Sequence, residues 1–346
     1  MRVLMIGPDR SVHGGISGVV NNYYEAGLDQ LVDLYYIGTM KEGSKLYKLL
    51  VAVKALCLFI CKLHSYDIVH VNVASDASYY RKSIFIKLAK QFHKKIVIHQ
   101  HGGDFEGFYT NQLDDKGRQK VKRVLSMGDA FIALSPIAQA FFATIIDEEK
   151  IYLLPNAILL PKEMNKTYGQ HQLLFLGRIC KTKGIGELLE VIPDLMQQYP
   201  DLKLYLAGIW EDENLRKQAE AYPEHIIWTG WITGEEKEQY LRQCDIFVLP
   251  TYFEGQPVSV LEAMAYGCAC VVSNTGGIPQ MVETNQTGIL VEPRNKESLK
   301  EGLLQALQNV DLCKQLGTKA RLKIEECFSL ERSLQELIAI YRRIEK

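Results

Sequence analysis

Residues 244–267 read Cys244-Asp245-Ile246-Phe247-Val248-Leu249-Pro250-Thr251-Tyr252-Phe253-Glu254-Gly255-Gln256-Pro257-Val258-Ser259-Val260-Leu261-Glu262-Ala263-Met264-Ala265-Tyr266-Gly267. The first part is short, apolar and ended by a proline, which predicts a buried strand. Val258 to Ala265 predicts a helix, with Pro257 at its first turn and Gly267 past its C-terminal end. Glu254 and Gly255 fall in the loop between them, and Glu262 falls inside the helix. Free N–H groups at a helix start favour an anion. A carboxylate such as Glu262 can accept two hydrogen bonds from a neutral diol. Two isolated glutamates would ordinarily be read as surface residues. Here their neighbours are apolar, small, Gly or Pro, so the acids stand out in a segment that otherwise reads as buried. A ligand with both phosphate and hydroxyls suits them, and a nucleotide sugar is such a ligand.

The same strand, loop and helix unit recurs outward in both directions. Apolar runs predict strands at 2–6, 32–37, 67–73, 95–99, 130–134 and 151–154. A second series follows at 172–176, 203–207, 226–228, 245–249, 268–273 and 288–291, with helices between and at 296–309, 311–326 and 330–345. Alternation of this kind predicts an α/β fold with two doubly wound parallel sheets. The polar stretch from Leu154 to Gln170 reads as the linker between them.

With 346 residues, 47% hydrophobic and 23% charged, the chain has the composition of a soluble two-domain protein. The net charge of −1 hides an asymmetry. Residues 1–155 carry 19 Lys/Arg against 15 Asp/Glu, or +4, and residues 156–346 carry 21 against 26, or −5. Residues 41–95 alone carry 11 against 3, or +8, which suggests an anionic partner such as a membrane surface or a phosphorylated acceptor. Within that segment, 46–63 is a strongly apolar helix with lysines at 48, 54 and 62, too short and too charged to span a bilayer. It is either a buried helix on the sheet or a helix lying at a membrane interface. In the basic helix that follows, Ile84, Phe85, Leu88, Ala89 and Phe92 read as the core face and the lysines as the solvated one. The eight cysteines lack metal spacing and read as reduced core residues, and Met1 to Gly7 reads as a strand rather than a secretory signal; a cytoplasmic protein is expected.

Several loops at predicted strand ends could carry chemistry. Ser11 to Gly18 includes Gly14-Gly15, although it is not GxGxxG and alone is equally a tight turn. Gln100-His101-Gly102-Gly103-Asp104 follows the fourth strand, where open α/β sheets bind ligands. Gly177-Arg178 to Lys183-Gly184 opens the second series, and Gly276-Gly277-Ile278-Pro279 follows the strand after Glu262. In a parallel sheet such loops share one edge, so Arg178, Lys183, Glu254 and Glu262 are expected to ring one crevice. That provides two cations for a diphosphate and carboxylates for a ribose and a sugar. The base is expected near Gly230-Trp231-Ile232.

These motifs resemble those of family 4 glycosyltransferases. Gly177 to Gly184 is similar to their Gly-Arg…Lys-Gly motif, and Glu254 to Glu262 to their E-x7-E motif. The Gly14-Gly15, His101 to Asp104, Pro155-Asn156 and Gly276 to Pro279 loops fall in the family's order, so the likeness runs along the whole chain. One departure is Gln280, where the family often has Glu.

The resemblance implies a GT-B fold of two facing Rossmann-like domains. These would be 1–160 on the acceptor side and 161–329 for the nucleotide sugar, with 330–346 packing back on the first. It implies retaining transfer of a hexose-type sugar from a UDP- or GDP-sugar, with no metal and no cofactor. Arg178 and Lys183 would neutralise the leaving diphosphate, Glu262 would hold the ribose, Glu254 the sugar hydroxyls, and His101 would lie near the reacting bond. Gly15, Gly177, Trp231, Ile232, Gly255, Gln256, Pro257 and Val258 would complete the donor site. Gly14, Asp104, Gly276 and Gly277 would lie near the sugar and acceptor. The acceptor is expected to be a glycan, lipid-linked, met at the inner face of the plasma membrane in polysaccharide or glycolipid assembly. A soluble acceptor, a GT-B nucleotide-sugar epimerase and a non-catalytic nucleotide-binding module are the alternatives. No nucleic-acid partner is expected.

Overall fold

The computed structural model describes residues 1–102, 104–163 and 166–345. The chain forms two compact units, Met1–Leu159 with Leu330–Lys346, and Leu160–Ser329.

Unit 1 is built on six parallel strands: β1 (Arg2–Gly7), β2 (Asp33–Gly38), β3 (Ile68–Val73), β4 (Lys95–Gln100), β5 (Ala130–Ala133) and β6 (Ile151–Leu153). Their order in the sheet is β2-β1-β3-β4-β5-β6. Continuous apolar runs such as Val3-Leu4-Met5-Ile6, all fully buried, are what a sheet covered on both faces demands. The helix Leu330–Glu345 belongs to this unit. Its Leu330 N–H donates to Ile158 O at 3.1 Å, and its buried Tyr341 hydroxyl lies 2.5 Å from His70 Nδ1.

That contact begins a row of histidines, with His70 and His99 buried and His101 half-buried at its end. His70 Nε2 lies 3.3 Å from His99 Nδ1, and the His99 and His101 rings are 3.9 Å apart. Burial pushes His70 and His101 down to about 3, and His99 well below its usual value. All three are neutral at physiological pH.

Unit 2 repeats the plan with β7 (Gln172–Leu176), β8 (Lys203–Ala207), β9 (Ile226–Gly230), β10 (Ile246–Leu249), β11 (Ala269–Ser273) and β12 (Ile289–Val291). The order is β12-β11-β10-β7-β8-β9, all parallel. Buried Asp245, just before β10, accepts from the N–H groups of Gly169, Gln170 and Gln172 at 2.9 to 3.1 Å. Three backbone donors satisfy this buried carboxylate and fasten the entry of β7 beside β10.

Several local readings change. The apolar helix spans Lys45–Leu63 and is neither simply buried nor wholly bare. Ala55, Phe59 and Leu63 pack into the core, while Leu46, Leu49, Leu50, Val53 and Ile60 are 42% to 67% exposed. In the basic helix Asp76–Gln91, Lys87 and Lys90 are exposed as expected. Lys82 is not: it is fully buried and donates to Thr39 Oγ1 at 2.7 Å. Ile84, assigned to the core face, is exposed. Both errors come from treating the apolar stripe as complete, when the long stem of Lys82 fills a core position that helical spacing assigned to solvent. Of the cysteines, Cys244, Cys268, Cys270 and Cys313 are core residues, whereas Cys57, Cys61 and Cys327 are exposed.

The histidine row makes unit 1 acid-sensitive. In the unfolded chain histidine takes up its proton near pH 6.5, whereas His70 and His101 take theirs near 3 when folded. Between those values the unfolded state binds more protons, so stability is full above 6.5 and falls as pH drops. Hydrogen exchange corrected for intrinsic rates is expected to show peptides of β3 and β4 losing protection on going from pH 7 to 5.5. The loss should be about tenfold or more, at about 1.4 kcal/mol per histidine per pH unit. Unchanged protection of those strands would contradict burial of neutral histidines.

Candidate active site

In unit 2 the chain enters the sheet at β7, winds outward to β9, and returns to place β10 on the other side of β7. The loops leaving β7 and β10 therefore run in opposite directions and open a crevice at the C-terminal edge.

The loop after β7 carries Arg178 and Lys183. A single 3-10 turn, Lys181–Lys183, ends at Gly184 with φ 72°, and a Cβ there would lie 1.9 Å from Pro250 O. Only glycine lets this loop press against the end of β10. Lys183 Nζ then donates to Glu254 Oε1, in a pair whose side chains are only about one-fifth exposed. Arg178 Nη1 donates to Glu211 Oε1 at 3.1 Å from the exposed rim.

A third loop locks onto the second. Gly277 N–H donates to Glu254 O at 3.0 Å. A Cβ at Gly276 (φ 55°) would meet Glu254 O at 1.9 Å, and one at Gly277 would meet Gly255 O at 1.7 Å. The loops after β7, β10 and β11 thus bring Lys183, Glu254, Gly255, Gly276 and Gly277 together, with Arg178 on the same β7 loop but paired at its rim. No side chain caps the start of the helix Val258–Ala265 that follows Gln256 and Pro257, so its first N–H groups are available to an anion. Inside that helix Glu262 Oε1 accepts from Lys237 Nζ at 2.6 Å. Lys237 lies on the helix Gly234–Gln243, which follows the Gly230-Trp231-Ile232 loop; Ile232 is buried and Trp231 half-buried.

The two partners absent from the sequence reading are Glu211 and Lys237. Glu211 sits beyond β8, where its N–H donates to Ile179 O at 3.0 Å, and Lys237 is one charge among many on a polar helix. Both neighbour a strand-end loop, and position at that edge, rather than motif, is the signal that could have marked them.

In unit 1, His101 follows β4 directly. Its Nε2 lies 2.6 Å from Asn72 Oδ1, and Asn72 Nδ2 donates to Ile6 O at 3.0 Å. Asn72 Oδ1 is therefore an acceptor, which places the imidazole proton on Nε2 and leaves buried Nδ1, with no partner, as a free lone pair. Asp104 is exposed and accepts from Gly107 N–H at 2.7 Å as a helix cap. Gly103 lies outside the described residues. Added Cβ atoms at Gly14 and Gly15 would meet nothing within 4 Å. Packing does not require glycine there, and the start of the helix Gly15–Glu25 is left open to approach. Among the described residues no cluster of three or more His, Cys, Asp or Glu could hold a metal ion.

Residues 159–323, nearly all of unit 2, match the sequence model of the family described as glycosyl transferases group 1. The match covers just under half of the chain. The chain is 28% identical over 282 residues to an uncharacterized glycosyltransferase of Methanocaldococcus jannaschii, covering 75% of this chain and 71% of that protein. It spans about half the length of further curated relatives it matches. Among solved structures it resembles sucrose-phosphate synthase from Thermosynechococcus elongatus, with a TM-score of 0.80, 20% identity, and 99% and 98% of the two chains covered. It also resembles Anabaena HepE in complex with UDP and glucose, with a TM-score of 0.78, 15% identity and 99% of each chain. At these identities the likeness is one of fold, and the fold is GT-B.

The glycines of the two units predict opposite outcomes. Gly276→Ala puts a Cβ into Glu254 O at a positive φ; the φ alone costs about 1–2 kcal/mol. It is expected to lower the melting temperature measurably. Gly14→Ala, built into open space, should leave melting unchanged. Thermal melts of both variants check this, and an unperturbed Gly276→Ala would mean the loops are not locked.

Proposed function

We propose that the chain is a retaining, metal-independent glycosyltransferase moving a hexose-type sugar from a UDP- or GDP-sugar to a hydroxyl of a glycan acceptor. The observation that carries this reading is the pairing of Lys183 with Glu254 across the point where the strand order of unit 2 reverses. A diphosphate entering there offers Lys183 a stronger counter-charge and frees Glu254 for the sugar hydroxyls. Arg178 exchanges Glu211 for the same diphosphate. Glu262, near the sheet's nucleotide end, accepts the ribose diol, and Lys237 holds it in place meanwhile.

In the transfer the bond from the anomeric carbon to the diphosphate oxygen breaks and one to the acceptor oxygen forms. The acceptor proton leaves with the diphosphate. Negative charge builds on the departing oxygen, where two preorganised cations act most strongly. The relative of known structure solved with UDP and glucose supports a nucleotide-sugar donor.

Arg178→Ala and Lys183→Ala are each expected to cut kcat about 10²–10³-fold with normal folding, because their charge is felt mainly as the diphosphate leaves. Glu262→Gln should raise KM with little change in kcat, since a ribose bond is the same before and during transfer. EDTA should leave turnover intact. Unchanged kcat in both cation variants, or activity lost to EDTA and restored by Mg²⁺, would overturn the assignment.

The acceptor is proposed to be lipid-linked. No helix among the described residues is long and apolar enough to cross a membrane. The exposed side of Lys45–Leu63 is instead an apolar strip edged by Lys45, Lys48 and Lys54, as an interfacial helix requires. Each basic residue near an anionic leaflet adds about 1 kcal/mol. The protein is expected to sediment with anionic liposomes at low salt and to come off as salt rises. Leu49→Ser with Leu50→Ser and Val53→Ser should abolish this without changing nucleotide binding. Wild-type protein that ignores such liposomes would favour a soluble acceptor.

A further inference from the structure

Unit 1 contains two adjacent cationic groups that the transfer mechanism does not use, Lys82 fully buried and Arg81 half-buried. Arg81 and Lys82 are adjacent on the helix Asp76–Gln91. Arg81 Nε is buried and has no hydrogen-bond partner. Lys82 is fully buried, and its ammonium donates to Thr39 Oγ1 at 2.7 Å. Thr39 Oγ1 in turn donates to Gly7 O at 2.9 Å. This places the Lys82 amine over the ends of β1 and β2. Strand order in unit 1 reverses at β1, between β2 and β3, so this is the ligand-bearing edge of the sheet.

Among the described residues neither cation is paired with a carboxylate. The nearby acids are engaged elsewhere: Asp9 with Lys41 at 3.3 Å and with Ser11, and Glu42 with His13 at 3.5 Å. Burial lowers the proton affinity of both Arg81 and Lys82, and the Lys82 charge bears on His101. Lysine can answer burial by losing its proton; arginine cannot. A permanently charged guanidinium with an unpaired Nε is costly unless something supplies the missing acceptor. A sugar hydroxyl is a poor match, since hydroxyl recognition needs acceptors as well as donors. A planar fork beside an ammonium suits a phosphate, with two parallel N–H···O bonds and charge from both groups.

We propose that Arg81 and Lys82 form a receptor for a phosphate or diphosphate group carried by the acceptor, seated at the edge of unit 1 that also bears His101 and the open Gly14-Gly15 loop. This rests on the glycosyl-transfer reading for the word acceptor, but not for the anion site itself. The phosphate could belong to a lipid carrier or to a soluble sugar phosphate. The competing account is that Lys82 is a neutral strut between its helix and Thr39, and that Arg81 is idle.

The test is calorimetric titration with inorganic pyrophosphate while UDP or GDP saturates unit 2. Wild-type protein should show a saturable site. Arg81→Gln and Lys82→Met should each weaken it at least about tenfold while leaving nucleotide affinity and melting temperature near wild type. Arg81 is half-buried and its change is mild, so Arg81→Gln decides the matter should Lys82→Met fold poorly. Farnesyl diphosphate binding much more tightly than pyrophosphate, and displaced by it, would support the receptor and assign it to a lipid carrier. Equal affinities would support it for a soluble phosphate ester. No pyrophosphate binding beside saturating nucleotide, or binding indifferent to Arg81→Gln, would overturn the proposal. Loss of the nucleotide's own affinity in wild-type protein would instead count against the transferase reading, and the pyrophosphate titration alone would still judge the receptor.

Discussion

The second unit depends on one ion pair at one topological point. Lys183 and Glu254 come from loops more than seventy residues apart, yet meet because β7 and β10 are neighbours whose connections leave in opposite directions. Everything around the pair serves to hold that juxtaposition. Asp245 ties the entry of β7 to β10, Gly184 lets the first loop touch Pro250, and Gly276-Gly277 clamps the second from above. A half-buried pair of this kind is costly to break by removing one partner, and easily re-formed with another partner of the same sign. Exchange of Glu254 for a phosphate is therefore a small step for Lys183, and it releases a carboxylate where sugar hydroxyls would lie. On the proposed reading, the pair keeps the site neutral until a diphosphate arrives.

Unit 1 has the opposite electrostatic character. Its sheet edge is lined by groups that burial keeps neutral or strips of partners: three uncharged histidines, a buried amine and a guanidinium with an empty Nε. The carboxylates Asp9 and Glu42 there are engaged with other partners, whereas in unit 2 Arg178, Lys183 and Lys237 each pair with an acid. A neutral His101 with its proton on Nε2 can accept from a hydroxyl through Nδ1, but it cannot act as a charged acid near pH 7. Tyr341, on the last helix, meets this row at His70, so the C-terminal segment supports the histidines rather than only covering the sheet.

Much of this was legible in the sequence, for identifiable reasons. Parallel strands buried on both faces must be apolar runs, so the twelve strands announce themselves, and Gly184, Gly276 and Gly277 mark loops that no Cβ could enter. Topology alone assigns Arg178, Lys183, Glu254 and Glu262 to one edge; the structure joins Lys183 to Glu254 directly, while Arg178 pairs with Glu211 and Glu262 with Lys237. What periodicity could not reveal was which polar residues the core absorbs. Lys82 has a stem long enough to cross the core and reach Thr39, a contact set by where β2 ends rather than by its own helix. Glu211 and Lys237 were hidden for a similar reason, since their roles come from partners distant in sequence. The helix Lys45–Leu63 was ambiguous because apolar content does not say which side is covered, and the structure divides it between the two.

The central claim is that the Lys183–Glu254 pair is a placeholder for a diphosphate. A crystal structure of the protein with a bound nucleoside diphosphate sugar tests it most directly. The account predicts Lys183 Nζ and the Arg178 guanidinium on the diphosphate oxygens, Glu254 turned to the sugar hydroxyls, and Glu262 on the ribose. A bound nucleotide with the diphosphate away from this crevice and the Lys183–Glu254 pair intact would contradict it.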